Sequence, residues 1–373
     1  MTTTHEPRAH RQALSHHLFS LAVLACVTAR IATAQPMGAI SGVYEGVIGT
    51  TDPVPLIQYY EQWGYKVGLI GELSAAEAKL LYGVDSKVRG IRLQHGTSDH
   101  GLIRLLVWDK PLSNGLDMRP MRVEGSRWTA TMTADATLIG NHAEDAIAAK
   151  MPVRYVPPEW ARIYDLGRGR PFLDPVVGVR EGMLIQPLTR QIFFERFGYS
   201  IPFYGRIDST SHFKASQVTH FGMIVRADDK VALKFYDDVL GLLRVRDDLV
   251  SKYAEAKASR LIFDLVVGES YYTTDFDEPR SSVTDLQAAR SGRLKIIRFD
   301  KNAPMEDARR ISRAGHLGLS LYTFRERNLD AYLVKVKGST ATEITAIRSN
   351  EFGERSFSFT APDGFMWTLV EGR

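Results

Sequence analysis

The chain has 373 residues, room for two domains or more at about 150 residues each, and its 44% apolar and 24% charged content excludes a disordered tail, a collagen-like fibre and a polytopic membrane protein. Its net charge of +4 is spread along the chain without a block of five like charges, so nothing marks a nucleic-acid or anionic-lipid surface. A single cysteine excludes an intramolecular disulfide framework and a cysteine-ligated zinc site.

Residues 1–34 read as a secretory signal peptide. Arg8 and Arg11 precede the apolar run Leu18 to Ala25, and Ala32-Thr33-Ala34 offers small residues before Gln35. The run is too short to span a bilayer, so no transmembrane segment remains after cleavage. The expected protein is therefore exported, periplasmic or secreted. Val23-Leu24-Ala25-Cys26 loosely resembles a lipobox, which leaves a lipoprotein anchored through Cys26 as the alternative. His5, His10, His16 and His17 fall in this leader and so make no metal site of the mature fold.

Four segments of the mature chain then read as one kind of unit, a strand, a helix and two or three strands. In the first, Val43 to Ile48 is a strand, Leu56 to Trp63 a helix, and Ser74-Ala75-Ala76-Glu77 a capping box opening a helix to Leu81. Val88 to Gln94 and Leu102 to Trp108 close it as a hairpin, with the polar turn His95 to His100 between them. The second unit has a strand at Trp128 to Thr133, a helix at Leu138 to Lys150 and strands near Val153 and Val176, and its tail Gln191 to Arg196 fits strand or helix. The basic loop Gly167-Arg168-Gly169-Arg170 either guards a pocket or is solvated. Gly42-Val43-Tyr44-Glu45-Gly46 and Gly178-Val179-Arg180-Glu181-Gly182 look alike, but the next unit begins too soon after the second copy for them to be equivalent strands.

In the third unit Val218 to Val225 is a strand, Val231 to Leu240 has apolar residues at helical spacing and stops at Gly241, and Leu261 to Val267 and Leu294 to Phe299 are strands. The fourth repeats the order: strand His316 to Tyr322, helix Leu329 to Val336, then strands at Thr342 to Ile347, Ser356 to Thr360 and Phe365 to Val370, with a Pro362-Asp363-Gly364 turn.

Phe235-Tyr236-Asp237-Asp238-Val239-Leu240-Gly241-Leu242 resembles the F-Y-x-x-x-L-G-L helix of the vicinal oxygen chelate superfamily, and Pro362-Asp363-Gly364 followed by Phe365 to Glu371 resembles its closing strand. That superfamily includes glyoxalases (lactoylglutathione lyases), fosfomycin and bleomycin resistance proteins and extradiol dioxygenases. The resemblance is good over residues 216–373, weaker over 40–110, and rests on the order of elements over 120–200. It implies an α+β fold of paired βαβββ modules forming two half-open barrel domains, at 40–200 and 216–373, joined by a linker at 201–215 where Pro202, Gly205 and a Ser/Thr cluster interrupt periodicity.

The resemblance also implies a cavity in which inward residues of first and last strands converge on a divalent metal, Fe(II), Mn(II), Ni(II) or Zn(II), chelated by a substrate with adjacent oxygens. His220 and His316, each followed by x-Gly and an apolar strand, take the two histidine positions, and the third ligand should fall at Thr368, a poor donor. Glu371 lies three residues on, an odd offset that turns it to the opposite face. A half-buried, hydrogen-bonded strand histidine is the alternative for each imidazole. Tyr236, Phe365 and Trp367 are candidate substrate contacts, and no catalytic residue is assigned. Two functions follow: an exported metal-dependent lyase, isomerase or ring-cleaving dioxygenase, or a metal-free protein that sequesters a small molecule. The first expects His220 and His316 side by side in one cavity, with Thr368 on the same wall.

Overall fold

In the computed structural model the described residues are 40–372, apart from residue 97 and residues 162–171, 174–176 and 227–229. The leader, including Cys26, and the Gly167–Arg170 loop therefore lie outside the described residues. The first unit comprises β1 (Val43–Thr50), α1 (Val54–Gln62), β2 (Tyr65–Leu73), α2 (Ala75–Tyr82), β3 (Val88–His95) and β4 (Leu102–Trp108). The second comprises β5 (Arg127–Thr133), α3 (Ala136–Ala148), β6 (Arg154–Ala161), β7 (Gly178–Ile185) and β8 (Arg190–Phe197). The third comprises β9 (Ala215–Arg226), α4 (Lys230–Lys234), β10 (Leu243–Lys252), α5 (Lys257–Ile262), β11 (Ser270–Asp277) and β12 (Arg293–Phe299). The fourth comprises β13 (Gly318–Glu326), α6 (Leu329–Lys337), β14 (Arg348–Ser349), β15 (Arg355–Thr360) and β16 (Met366–Glu371).

Within each unit the first and last strands run parallel and adjacent: β1 with β4, β5 with β8, β9 with β12 and β13 with β16. Two curled eight-stranded half-barrels result, in the orders β14-β15-β16-β13-β1-β4-β3-β2 and β10-β11-β12-β9-β5-β8-β7-β6. The α+β architecture of paired modules is as expected. The pairing is not. The first unit joins the fourth through antiparallel β1 and β13, and the second joins the third through β5 and β9. Residues 201–215 consequently connect β8 and β9, strands of one sheet, and do not link domains at 40–200 and 216–373. The described residues form one unit.

The backs of both sheets share one core. It takes in Phe221 and Leu294 of one sheet, Tyr322 and Trp367 of the other, and the inward faces of α1, α3 and α6. The Tyr322 hydroxyl binds this core across the sheets, shared between the carbonyls of Trp128 (2.8 Å) and Gly222 (2.7 Å). The two hollows are treated differently. In the β1 sheet, α2 packs Ala78, Leu81 and Tyr82 against Val47, Leu106 and Leu321 and fills the concave side. Its start is the expected capping box, with the Glu77 amide donating to the Ser74 hydroxyl and the Ser74 amide to the Glu77 carboxylate, and it ends at Gly83 with φ +75°. In the β5 sheet the shorter α5 covers only part of the hollow.

Several local expectations need correction. Gln191 to Arg196 is strand β8, and β2, β10 and β11 are strands without a predicted counterpart. Leu261 to Val267 is not a strand: α5 runs to Ile262, and Ile262, Phe263 and Leu265 pack into the hollow from outside the sheet. Thr342 to Ile347 is not a continuous strand either: Thr342 makes an isolated antiparallel bridge to Thr360, and the two-residue strand Arg348–Ser349 pairs beside β15. The predicted helix 231–240 begins as α4 but closes as a π-helical turn over Phe235–Val239, with the Leu240 amide donating to the Phe235 carbonyl.

Candidate functional site

The unfilled hollow of the β5 sheet is a cavity of about 430 Å³. Its apolar wall includes Trp128, Phe194, Ile262, Phe263, Tyr271 and Ile297, and its polar wall includes Glu181, Arg196, Tyr204, His220, Arg293 and Lys295. Alternation puts these side chains there: His220 sits opposite Ala130 and level with Arg293, and Lys295 is two residues along β12 on the same face. Gly222, two residues past His220, has no side chain because the Trp128 indole lies over it.

His220 stands among aromatic rings, with centroids at 5.7 Å from Trp128, 5.6 Å from Phe194 and 6.0 Å from Tyr204. Burial, reinforced by the positive charges of Lys295 and Arg293, pushes its pKa well below 6.5, so the imidazole is neutral at neutral pH. Its Nδ1 lies 3.1 Å from the Thr219 hydroxyl, which itself donates to the Ala130 carbonyl at 3.0 Å. With that hydroxyl proton committed, the hydrogen-bond network assigns the imidazole proton to Nδ1 and leaves Nε2 as an acceptor.

Beside His220 lies a cluster of cations. Lys295 Nζ reaches both oxygens of the fully buried Asp275 carboxylate, at 3.0 and 3.2 Å, and Arg246 reaches the same carboxylate at 3.1 Å. Arg293 donates twice to Asp277, at 2.6 and 2.8 Å. Burial alone would raise the Asp275 pKa, but Lys295, Arg293 and Arg246 together hold it below the usual carboxylate range. The Lys295 ammonium is pushed the other way: burial lowers its pKa, against the pull of Asp275. Glu181, from β7, is raised by burial and partly drawn back by Lys295. Arg196 is set apart. Its guanidinium carbon lies 5.4, 5.4 and 5.1 Å from the rings of Phe194, Tyr199 and Tyr204, and it has no carboxylate partner among the described residues.

The histidines expected to share a metal are not brought together. His316 precedes β13, in the other sheet, and its Nδ1 lies 2.8 Å from the Ser113 hydroxyl. The matching His-x-Gly signals mislead because Gly318 opens β13 with a left-handed φ of +83°, leaving His316 outside the strand, whereas His220 and Gly222 both lie within β9. Thr368 is also in the other sheet, fully buried and 2.6 Å from Thr323, oxygen to oxygen. Glu371 accepts from Arg355 at 2.7 Å at the sheet's rim. Tyr236, Phe365 and Trp367 belong to the shared core and not to the cavity: Trp367 stacks on Phe324 with centroids 4.7 Å apart, Arg127 lies over Phe365 at 4.7 Å, and the Tyr236 hydroxyl donates to Asp363 at 2.6 Å. That last bond joins the two motifs that carry the resemblance, so both are explained by packing. In the His95 to His100 turn, His95 Nε2 lies 3.2 Å from the Ala215 carbonyl, and His100 bridges Asp99 and Ser291.

Neither hollow presents a donor set that fits a divalent metal. In the β5 sheet the inward first- and last-strand side chains are Ala130, Phe194, His220 and Lys295, a single neutral nitrogen donor beside an ammonium. In the β1 sheet they are Glu45, Arg104, Thr323 and Thr368, and the Arg104 guanidinium occupies their centre. It reaches Glu45 at 3.0 Å, Thr323 at 2.8 Å, Glu351 at 3.3 Å and Thr368 at 3.4 Å. A resident cation already neutralises the carboxylates there. Among the described residues no three His, Cys, Asp or Glu side chains converge as a metal site.

Sequence reasoning missed Glu181, Arg196 and Lys295. A usable signal was present in Arg293-Leu294-Lys295-Ile296, where charges alternate with core residues and so must share the face opposite the core.

No protein-family model and no curated protein sequence matches the chain. Solved structures do. Glyoxalase I from Zea mays aligns at 13% identity with a TM-score of 0.51, over 90% of this chain and 93% of its own. A proposed dioxygenase from Bacillus subtilis aligns at 10% identity with a TM-score of 0.50, over 89% and 86%. At these identities the likeness establishes the fold: paired modules curled into two half-barrels.

Proposed function

We propose that the chain is an exported, metal-independent small-molecule-binding protein whose ligand joins an anionic oxygen group to an aromatic or apolar body. The observation that carries this reading is the cavity itself, where an aromatic and aliphatic wall faces a polar one on which Lys295 and Arg293 are tied to carboxylates while the Arg196 guanidinium stands among rings beside a neutral imidazole. A carboxylate, phenolate or enolate would meet Arg196 in a poorly hydrated site, where a charge-assisted hydrogen bond is worth about 1.5–3 kcal/mol. The metal-dependent lyase, isomerase or dioxygenase reading is less favoured, because the positions that would supply oxygen donors carry Ala130, Phe194 and Lys295.

Trp128 lines the cavity and reports occupancy by its fluorescence. Titration with benzoate or salicylate should quench it saturably, exhaustive chelation should leave the curve unchanged, and Arg196→Met should weaken binding about tenfold or more, the equivalent of about 1.4 kcal/mol. Binding that disappears on chelation and returns with a stoichiometric divalent metal would overturn the metal-independent reading. Export rests on the leader alone, with its basic start, apolar run and Ala32-Thr33-Ala34 site. No helix among the described residues is long and apolar enough to cross a membrane. Sequencing the processed N-terminus should give Gln35, and an acylated Cys26 would replace the soluble form with the anchored one.

A further inference from the structure

Lys295 supplies the amine among the cavity's lining residues, and its surroundings are unusual for a structural lysine. Its ion-pair partner is the fully buried Asp275 carboxylate, 3.0 Å away, which Arg246 already holds at 3.1 Å and Arg293 approaches at 3.6 Å. The ammonium thus shares one carboxylate with two guanidinium groups, and both of them, like burial, favour its uncharged form. Across the cavity stands Glu181, near enough for the two charges to interact and held toward its protonated form by burial. His220 and Arg196 complete the ring of titratable and charged groups around the space that Lys295 faces.

We propose that Lys295 captures carbonyl compounds, forming an imine with a small aldehyde or α-keto acid bound in the cavity. The inference rests on the ligand reading above and adds a covalent step to it. The ammonium releases a proton to solvent, and Asp275 stays ionised against Arg246 and Arg293. The freed nitrogen pair attacks the carbonyl carbon, the carbonyl π pair moves to oxygen, and a proton passes from the now cationic nitrogen to that oxygen to give a carbinolamine. Glu181 protonates the hydroxyl, which departs as water while nitrogen forms the double bond to carbon, and Glu181 regains a proton from solvent. Ammonium and carbonyl thereby become iminium and water, with no oxidant, reductant or metal consumed. A desolvated lysine beside other cations is a recognised way to obtain an amine nucleophile at neutral pH. The aromatic wall favours an aryl substituent on the carbonyl, and Arg196 favours a carboxylate next to it, so an aryl α-keto acid such as benzoylformate matches both.

The full-length mature protein is incubated at pH 7 with benzoylformate and sodium cyanoborohydride, then analysed by intact mass and peptide mapping. The expected result is one reduced adduct, on the peptide bearing Lys295, formed at least tenfold faster than on any surface lysine. Lys295→Arg, which keeps a cation facing Asp275, should abolish it. Arg196→Met should slow trapping of benzoylformate but not of benzaldehyde, which has no carboxylate. Mapping of the unaltered protein decides the question even if a variant does not fold. Adducts scattered over surface lysines with Lys295 unmodified, while benzoylformate still quenches Trp128, would overturn imine formation and leave the binding reading intact. Neither quenching nor trapping by benzoylformate, with benzoate also failing to quench, would overturn both.

Discussion

Arg104 and Arg196 are two inward arginines on the last inner strands of their units, and they differ in what faces them. Arg104 is 1% exposed and enclosed by Glu45, Glu351, Thr323 and Thr368, while Arg92, also 1% exposed, pairs with Glu45 at 2.9 Å and doubly with Glu354 at 2.9 and 2.8 Å. Every carboxylate in that nest depends on a guanidinium. Arg104→Met should therefore cost about 3–5 kcal/mol, because it leaves Glu45 and Glu351 buried with less than their compensating charge. Urea unfolding monitored by circular dichroism measures it, and a loss below about 1 kcal/mol would mean that water or rearrangement already satisfies the nest. The same geometry revises what a carboxylate at Thr368 would do. Thr368→Glu would place a third negative group against Arg104, extending the ion-pair nest where the family resemblance implied a metal ligand. Arg196 faces rings and open space, and that contrast makes it the side chain with capacity to spare for a ligand.

At the scale of elements, what could be read from the sequence was whatever depends on neighbours along the chain. The Ser74 capping box, the turn at Gly364 with φ +85°, and the alternation of β9, β12 and β15 are local, and each appears where its residues predict. The unread elements have sequences written by distant partners. Strand β2 carries Val67, Leu69 and Ile70 exposed at a sheet edge, so it shows no inside–outside alternation to detect. Strand β10 is mostly polar because it too lies at an edge, with Arg244 and Arg246 meeting Asp237 and Asp275. The apolar run of α5 has the composition of a strand, but its task is to cover the hollow with Ile262 and Phe263. The candidate site was legible to the same extent. His220 was found because the family resemblance places a first-strand histidine in the cavity, and it does line one. The assumption that His316 is its counterpart failed, since a His-x-Gly pattern cannot distinguish a glycine needed for a positive φ at a strand's start from one needed beneath an indole.

For the molecule as a whole, the order of units along the chain differs from their order in space. Outer units one and four build one half-barrel, and inner units two and three build the other. A cut between β8 and β9 thus falls inside a sheet, and each half of the chain holds half of both barrels. Separating them would strip β9 from β5 and β13 from β1, exposing four interior strand edges at once, together with the shared core of Phe221, Tyr322 and Trp367. These edges come from the middle of each sheet with buried core behind them, so neither half should persist alone. The test is a protease site inserted at Ser209-Thr210, which is exposed in the β8–β9 connection. After complete cleavage, both fragments should co-elute as one full-sized particle in native gel filtration and retain benzoate binding, parting only in denaturant. Release of a stable, monomeric fragment covering residues 210–373 would instead mean that units three and four pair with each other, as a tandem two-domain reading of the sequence requires.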